Sequence, residues 1–155
     1  MINKKNNKSI IKIAIVIIGL ILYVGMLIFI SVNQSDYSVV LTTDKEVYEF
    51  SQNEKEYVID VKVQNNANRM LSSAEDQNTF LSYHVYNMNG EPLAYDNIRS
   101  PFIENIFAKE NGETELHISP LAKGEYLIGI DVLQEYVTWF NEKENTEIRI
   151  RLIVK

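Results

Sequence analysis

The chain has 155 residues, no cysteine, and 21 acidic against 15 basic side chains, for a formal net charge of −6. Without cysteine it can form no disulfide, use no thiol nucleophile and carry no lipoprotein acyl group. The first 32 residues hold four lysines and no acid, which leaves 11 basic and 21 acidic residues from Asn33 onward, a net of −10 that argues against a nucleic-acid surface and against lying flat on anionic lipid.

Residues 1–12 contain Lys4, Lys5, Lys8 and Lys12 and read as a basic cytoplasmic tail. Ile13 to Val32 follows as twenty residues without Asp, Glu, Lys or Arg. At about 1.5 Å per residue this run matches the thickness of a bilayer's hydrocarbon core, and it predicts one transmembrane helix with the amino terminus inside and the rest exported. The run is longer than a signal peptide's apolar region, and its exit, Phe29-Ile30-Ser31-Val32-Asn33-Gln34-Ser35, lacks a small-x-small cleavage site. It is therefore expected to stay as an anchor. Residues 33–38 then form a short linker, and 39–155 an extracellular domain large enough for one core.

That domain alternates apolar and polar residues over short runs, the period of half-buried strands. Tyr57, Ile59, Val61 and Val63 alternate with Val58, Asp60, Lys62 and Gln64, and Ile148, Ile150, Leu152 and Val154 repeat the pattern near the carboxyl end. Strands are expected near 37–42, 46–50, 57–65, 80–87, 92–96, 113–119, 125–133 and 147–154. Asn89-Gly90 suits a type I′ turn that would pair 80–87 with 92–96 as a hairpin. The expected fold is all-β: an immunoglobulin-like antiparallel β-sandwich preceded by one transmembrane helix.

No nucleophile elbow, zinc-binding His-Glu-x-x-His helix or phosphate-binding glycine loop is present. His84 and His117 fall on the more polar sides of their strands and are expected at the surface. The carboxylate pairs Glu75/Asp76 and Glu142/Glu144 lie in polar loops. The sequence therefore predicts no catalysis, no cofactor and no metal. Nine Tyr, six Phe and one Trp are a stronger signal. Tyr83, Tyr86, Tyr95, Tyr136, Trp139 and Phe140 cluster near strand ends, where they either fill the core or meet the flat C–H faces of sugars. Trp139 and Phe140 are adjacent, so one is exposed or the chain bends there.

Leu81-Ser82-Tyr83-His84-Val85-Tyr86, Asn89-Gly90, Tyr95-Asp96-Asn97-Ile98-Arg99-Ser100-Pro101, Gly124-Glu125-Tyr126 and Glu135-Tyr136-Val137-Thr138-Trp139-Phe140 occur in this order. This series resembles the immunoglobulin-like carbohydrate-binding domain at the carboxyl end of polysaccharide ABC-transporter ATPases of the O-antigen type. The resemblance implies a glycan ligand held by Tyr83, Tyr95, Asp96, Arg99, Glu135, Trp139 and Phe140, with Arg99 either touching the ligand or pairing with Asp96 to hold a loop. An anchor stands where those proteins carry an ATPase, so ATP-driven export is not implied. The expected function is an anchored sandwich that binds carbohydrate and assists assembly, export or retention of a surface polysaccharide. The alternative is an anchored protein-interaction module docking through a sheet edge or through Phe102 to Phe107, a segment otherwise expected to be an ordinary strand.

Overall fold

The computed structural model describes residues 13–26, 35–74 and 76–155. It has two compact units, Met1–Gln34 and Ser35–Lys155. In the first, 13–26 is a helix whose residues are all exposed. No helix among the described residues is long and apolar enough to cross a membrane. The basic tail 1–12, the end of the expected span at 27–32, linker residues 33 and 34, and Glu75 lie outside the described residues.

The second unit is a two-sheet β-sandwich of immunoglobulin-like type. Its strands are β1 (Val39–Thr43), β2 (Val47–Phe50), β3 (Tyr57–Asn65), β4 (Thr79–Tyr86), β5 (Pro92–Ala94), β6 (Ser100–Pro101), β7 (Asn111–Ile118), β8 (Gly124–Gln134), β9 (Thr138–Trp139) and β10 (Ile148–Val154). The small sheet runs β1-β3-β7 and the large one β2-β10-β8-β4-β5, with β6 on β4 and β9 on β8. The chain changes sheets between β1 and β2, and β2 lies parallel to β10. All other pairs are antiparallel.

Period-2 alternation decides what fills the gap between the sheets. In β3, Tyr57, Ile59, Val61 and Val63 point inward while the intervening residues face out. Leu81, Tyr83, Val85, Ile128, Ile130, Val132, Ile150 and Leu152 meet them from the large sheet. Burying such side chains contributes about 1.5–3 kcal/mol each.

Three sequence expectations need correction. First, Asn89-Gly90 does not form a type I′ turn. Among non-glycine residues described, only Asn78, Lys109 and Tyr136 have positive φ, and here only Gly90 does, at 83°. The Asn87 side chain accepts from the N–H groups of Asn89 and Glu91, each at 2.9 Å, and stabilises a longer loop with glycine at the left-handed position. The expected hairpin still forms, as β4 pairing β5. Second, residues 102–107 are not a strand: their only ladder contact is the isolated bridge Leu71↔Ile106. Phe102 and Ile106 are buried, and Ile106 lies so close to Gly112 that a Cβ there would meet it at 2.6 Å. Third, His84 is not at the surface; it is 1% exposed.

The reason for His84 places the site. Ser82, His84 and Asp131 lie on the side of β4 and β8 away from the core, yet all are buried. Segments 95–99 and 140–147 cover them: Ser82 donates to the Ile98 carbonyl at 2.8 Å, and Asp131 accepts from Thr146 Oγ1 at 2.7 Å and from the Asn141 N–H at 3.0 Å. The central strands thus carry a second, polar packing layer on their outer face.

Candidate functional site

The tight return from β8 to β9 fixes one wall of a surface depression. Leu133 pairs with Trp139 and Gln134 with Thr138, and the Val137 N–H closes the turn onto the Gln134 carbonyl at 3.0 Å. At its tip Tyr136 has φ 62° and is 95% exposed. A left-handed conformation costs a side chain about 1–2 kcal/mol, and this ring recovers none of it by burial.

The loop Tyr95–Arg99 forms the facing wall. Arg99 sits between two carboxylates, its Nε donating to Glu135 at 2.8 Å and its Nη1 to Asp96 at 2.6 Å. Its guanidinium carbon lies 5.7 Å from the centre of the Trp139 ring. Arg99 thus pairs with Asp96, and the loop held by this pair is itself the wall. Between the walls is an open depression of about 410 Å³, lined by Tyr95, Asp96, Arg99, Leu133 to Trp139 and Glu142.

His84 is the post behind the aromatic side. Its ring stacks on Tyr95 at 4.0 Å and packs against Trp139 at 4.2 Å. Nδ1 faces the Tyr95 carbonyl, an acceptor only, so that nitrogen carries the proton. Nε2 is buried without a hydrogen bond, 3.9 Å from Glu147. Glu147 in turn accepts from the Tyr86 hydroxyl at 2.9 Å and from Arg149 at 2.7 Å. Burial, reinforced by the Glu147 carboxylate, pushes the Tyr86 phenol up to about 12. Burial also pushes the Tyr95 phenol upward, assisted by Glu142, Asp131 and Glu147.

Tyr95, Asp96, Arg99, Glu135 and Trp139 come together at this depression. Tyr83 and Phe140 do not reach it. Tyr83 is buried in the core with its hydroxyl accepting from the Ser119 N–H at 3.0 Å, because it shares a strand face with Leu81 and Val85. Phe140 is fully buried, because the strand ends at Trp139 and the chain bends into a 3₁₀ turn over Phe140–Glu142. Trp139 is flanked by His84 and Arg99. Tyr95, backed on one face by His84 and 48% exposed, offers the freer ring surface. Thr138 and Glu142, joined at 2.8 Å, complete the rim and were not among the residues expected from sequence. His117 is half-buried between Glu56 and Glu115 on the small sheet. No group of three or more His, Cys, Asp or Glu among the described residues could hold a metal ion.

No protein-family model matches the chain, and no curated protein matches it significantly. Among solved structures it is similar to the CARDB domain of the PF1109 protein from Pyrococcus furiosus, at 21% identity and a TM-score of 0.40, over 76% of this chain and 86% of that one. It is also similar to the periplasmic chaperone SfaE, at 12% identity and a TM-score of 0.37, over 76% of this chain and 56% of that one. A third likeness is to WR4, an MSP family member of C. elegans, at 12% identity and a TM-score of 0.36, over 75% of this chain and 98% of that one. These likenesses concern strand arrangement alone.

Proposed function

We propose that the chain is a single-pass, membrane-anchored, extracytoplasmic and non-catalytic module that binds carbohydrate and assists assembly, export or retention of a surface polysaccharide. The observation that carries this reading is the exposed Tyr95 ring, held flat against His84 at the wall of an open depression beside Arg99 and three carboxylates. A pyranose ring can pack its C–H face on such a platform while its hydroxyls bond to carboxylate and guanidinium groups. The strained, solvent-exposed Tyr136 at the rim supports the reading, since backbone strain without a packing gain marks functional positions. The anchor is supported by the run without charged residues from Ile13 to Val32, of which the part over 13–26 is helical and apolar.

The test is titration of the full chain, in a detergent without a sugar headgroup, with the host's cell-wall and capsular polysaccharides. Tyr95→Ala is expected to weaken binding about tenfold or more, the equivalent of ~1.4 kcal/mol. Tyr136→Gly is expected to raise stability by about 1 kcal/mol while weakening binding. Binding that survives both Tyr95→Ala and Trp139→Ala would overturn the assignment.

The second reading, a protein-interaction module, is favoured by the loop 102–107, whose Ile103 and Phe107 are 65% and 55% exposed while their neighbours anchor it in the core. Washed membranes decide both the anchor and this rival. The chain should stay with the lipid after alkaline extraction, and added protease should reach the domain in intact cells. A crosslinked stoichiometric protein, lost on Ile103→Ser with Phe107→Ser and found without glycan binding, would favour the second reading.

A further inference from the structure

We infer that the depression selects its glycan by charge, taking sugars with free amino groups ahead of neutral ones and turning away those with carboxylate, phosphate or sulfate groups. This rests on the glycan reading above. Asp96, Glu135 and Glu142 line the depression, and Arg99 is the one cation among its described lining residues. That cation is already committed. Its Nε is held by Glu135, and its Nη1 by Asp96 and by the Asn97 carbonyl.

That leaves only Nη2 for an incoming anion, on a guanidinium already shared by two carboxylates. Such an anion would find no second cation among the described lining residues and would meet Asp96, Glu135 and Glu142 as like charges. A sugar hydroxyl has no such conflict. The second oxygens of Asp96, Glu135 and Glu142 have no hydrogen-bond partner among the described residues, and each can accept from a hydroxyl or an ammonium group. An ammonium group gains the Coulomb attraction in addition. Burial first, and then the Glu142, Asp131 and Glu147 carboxylates, hold the Tyr95 phenol against ionisation, in keeping with that field.

The experiment is an array, read with the full chain in a detergent without a sugar headgroup, of neutral, amino and acidic oligosaccharides. It includes the tetramers of N-acetylglucosamine, glucosamine and galacturonate. At low salt the glucosamine tetramer is expected to bind about two- to fivefold tighter than its N-acetylated counterpart, the yield of one exposed ion pair. The galacturonate tetramer should not bind. The preference ratio should shrink as salt is raised and fall toward one in Glu142→Gln. Binding that favours acidic members, or a ratio unmoved by both salt and Glu142→Gln, overturns the charge inference and leaves the glycan reading standing. No binding anywhere on the array overturns the glycan reading with it.

Discussion

Replacing Phe140 by alanine is expected to lower the unfolding free energy of the domain by about 3–5 kcal/mol, a large share of the ~5–15 kcal/mol that such domains possess. The side chain is fully buried in the core and packs in a T-shaped arrangement with the Tyr37 ring, centres 5.1 Å apart, so truncation leaves a cavity as well as losing the transfer energy of the ring. Its position gives the variant a second effect. The carbonyl of Phe140 accepts from the N–H groups of Lys143 and Glu144, fixing the bend that carries the chain from Trp139 over Asp131. A loosened bend frees Trp139, the only tryptophan, so its fluorescence follows unfolding directly. The urea midpoint should fall with an unchanged slope. A loss below about 1 kcal/mol would show that the 3₁₀ turn refills the cavity and does not depend on the ring.

The strands were legible where one face is wet. β3 is found at the bounds expected from its alternation, and β10 within one residue of them, because Asp60, Lys62, Arg149 and Arg151 mark the solvent side. β4 and β8 too are found within one residue of the expected 80–87 and 125–133. But Leu81 to Tyr86 and Ile128 to Leu133 are buried on both faces by segments from elsewhere in the chain, so no local period shows that their polar face is covered. His84 was misplaced for that reason. β6 and β9 have two residues each, too few to show a period. Of the residues assigned to the site, Tyr95, Asp96, Arg99 and Glu135 on loops and Trp139 on the two-residue β9 came together, while Tyr83 followed the inward phase of Leu81 and Val85 that its own strand displays. Phe140 could not be placed by alternation, since the strand stops one residue before it. Tyr136 left no signal in its residue type; only the backbone reveals its left-handed conformation.

Lowering the pH from about 7 to about 4 is expected to strengthen wild type relative to Asp131→Asn by roughly 2–3 kcal/mol, since the folded chain binds this proton more tightly than the unfolded one. Asp131 is completely buried, and burial pushes its carboxyl from the usual 3.8 up to about 6, outweighing the bonds from Thr146, Asn141 and Val132 that favour the charged form. The folded chain therefore takes up this proton as the pH falls through about 6, whereas the unfolded chain takes it up only near the ordinary value. The contribution is fully present below about 4 and is lost as the pH rises through 6. Surface pairs such as Lys62–Asp44, at 2.8 Å, weaken in acid in both proteins and cancel from the difference. The asparagine is neutral at every pH and keeps an acceptor for Thr146, but it turns an amide donor toward the Asn141 N–H, so a constant offset accompanies the pH-dependent one. Urea unfolding of both chains across this range measures the gap. A gap that does not change with pH would mean that Asp131 ionises alike in the folded and unfolded chain, and that the segment over 140–147 leaves it open to water.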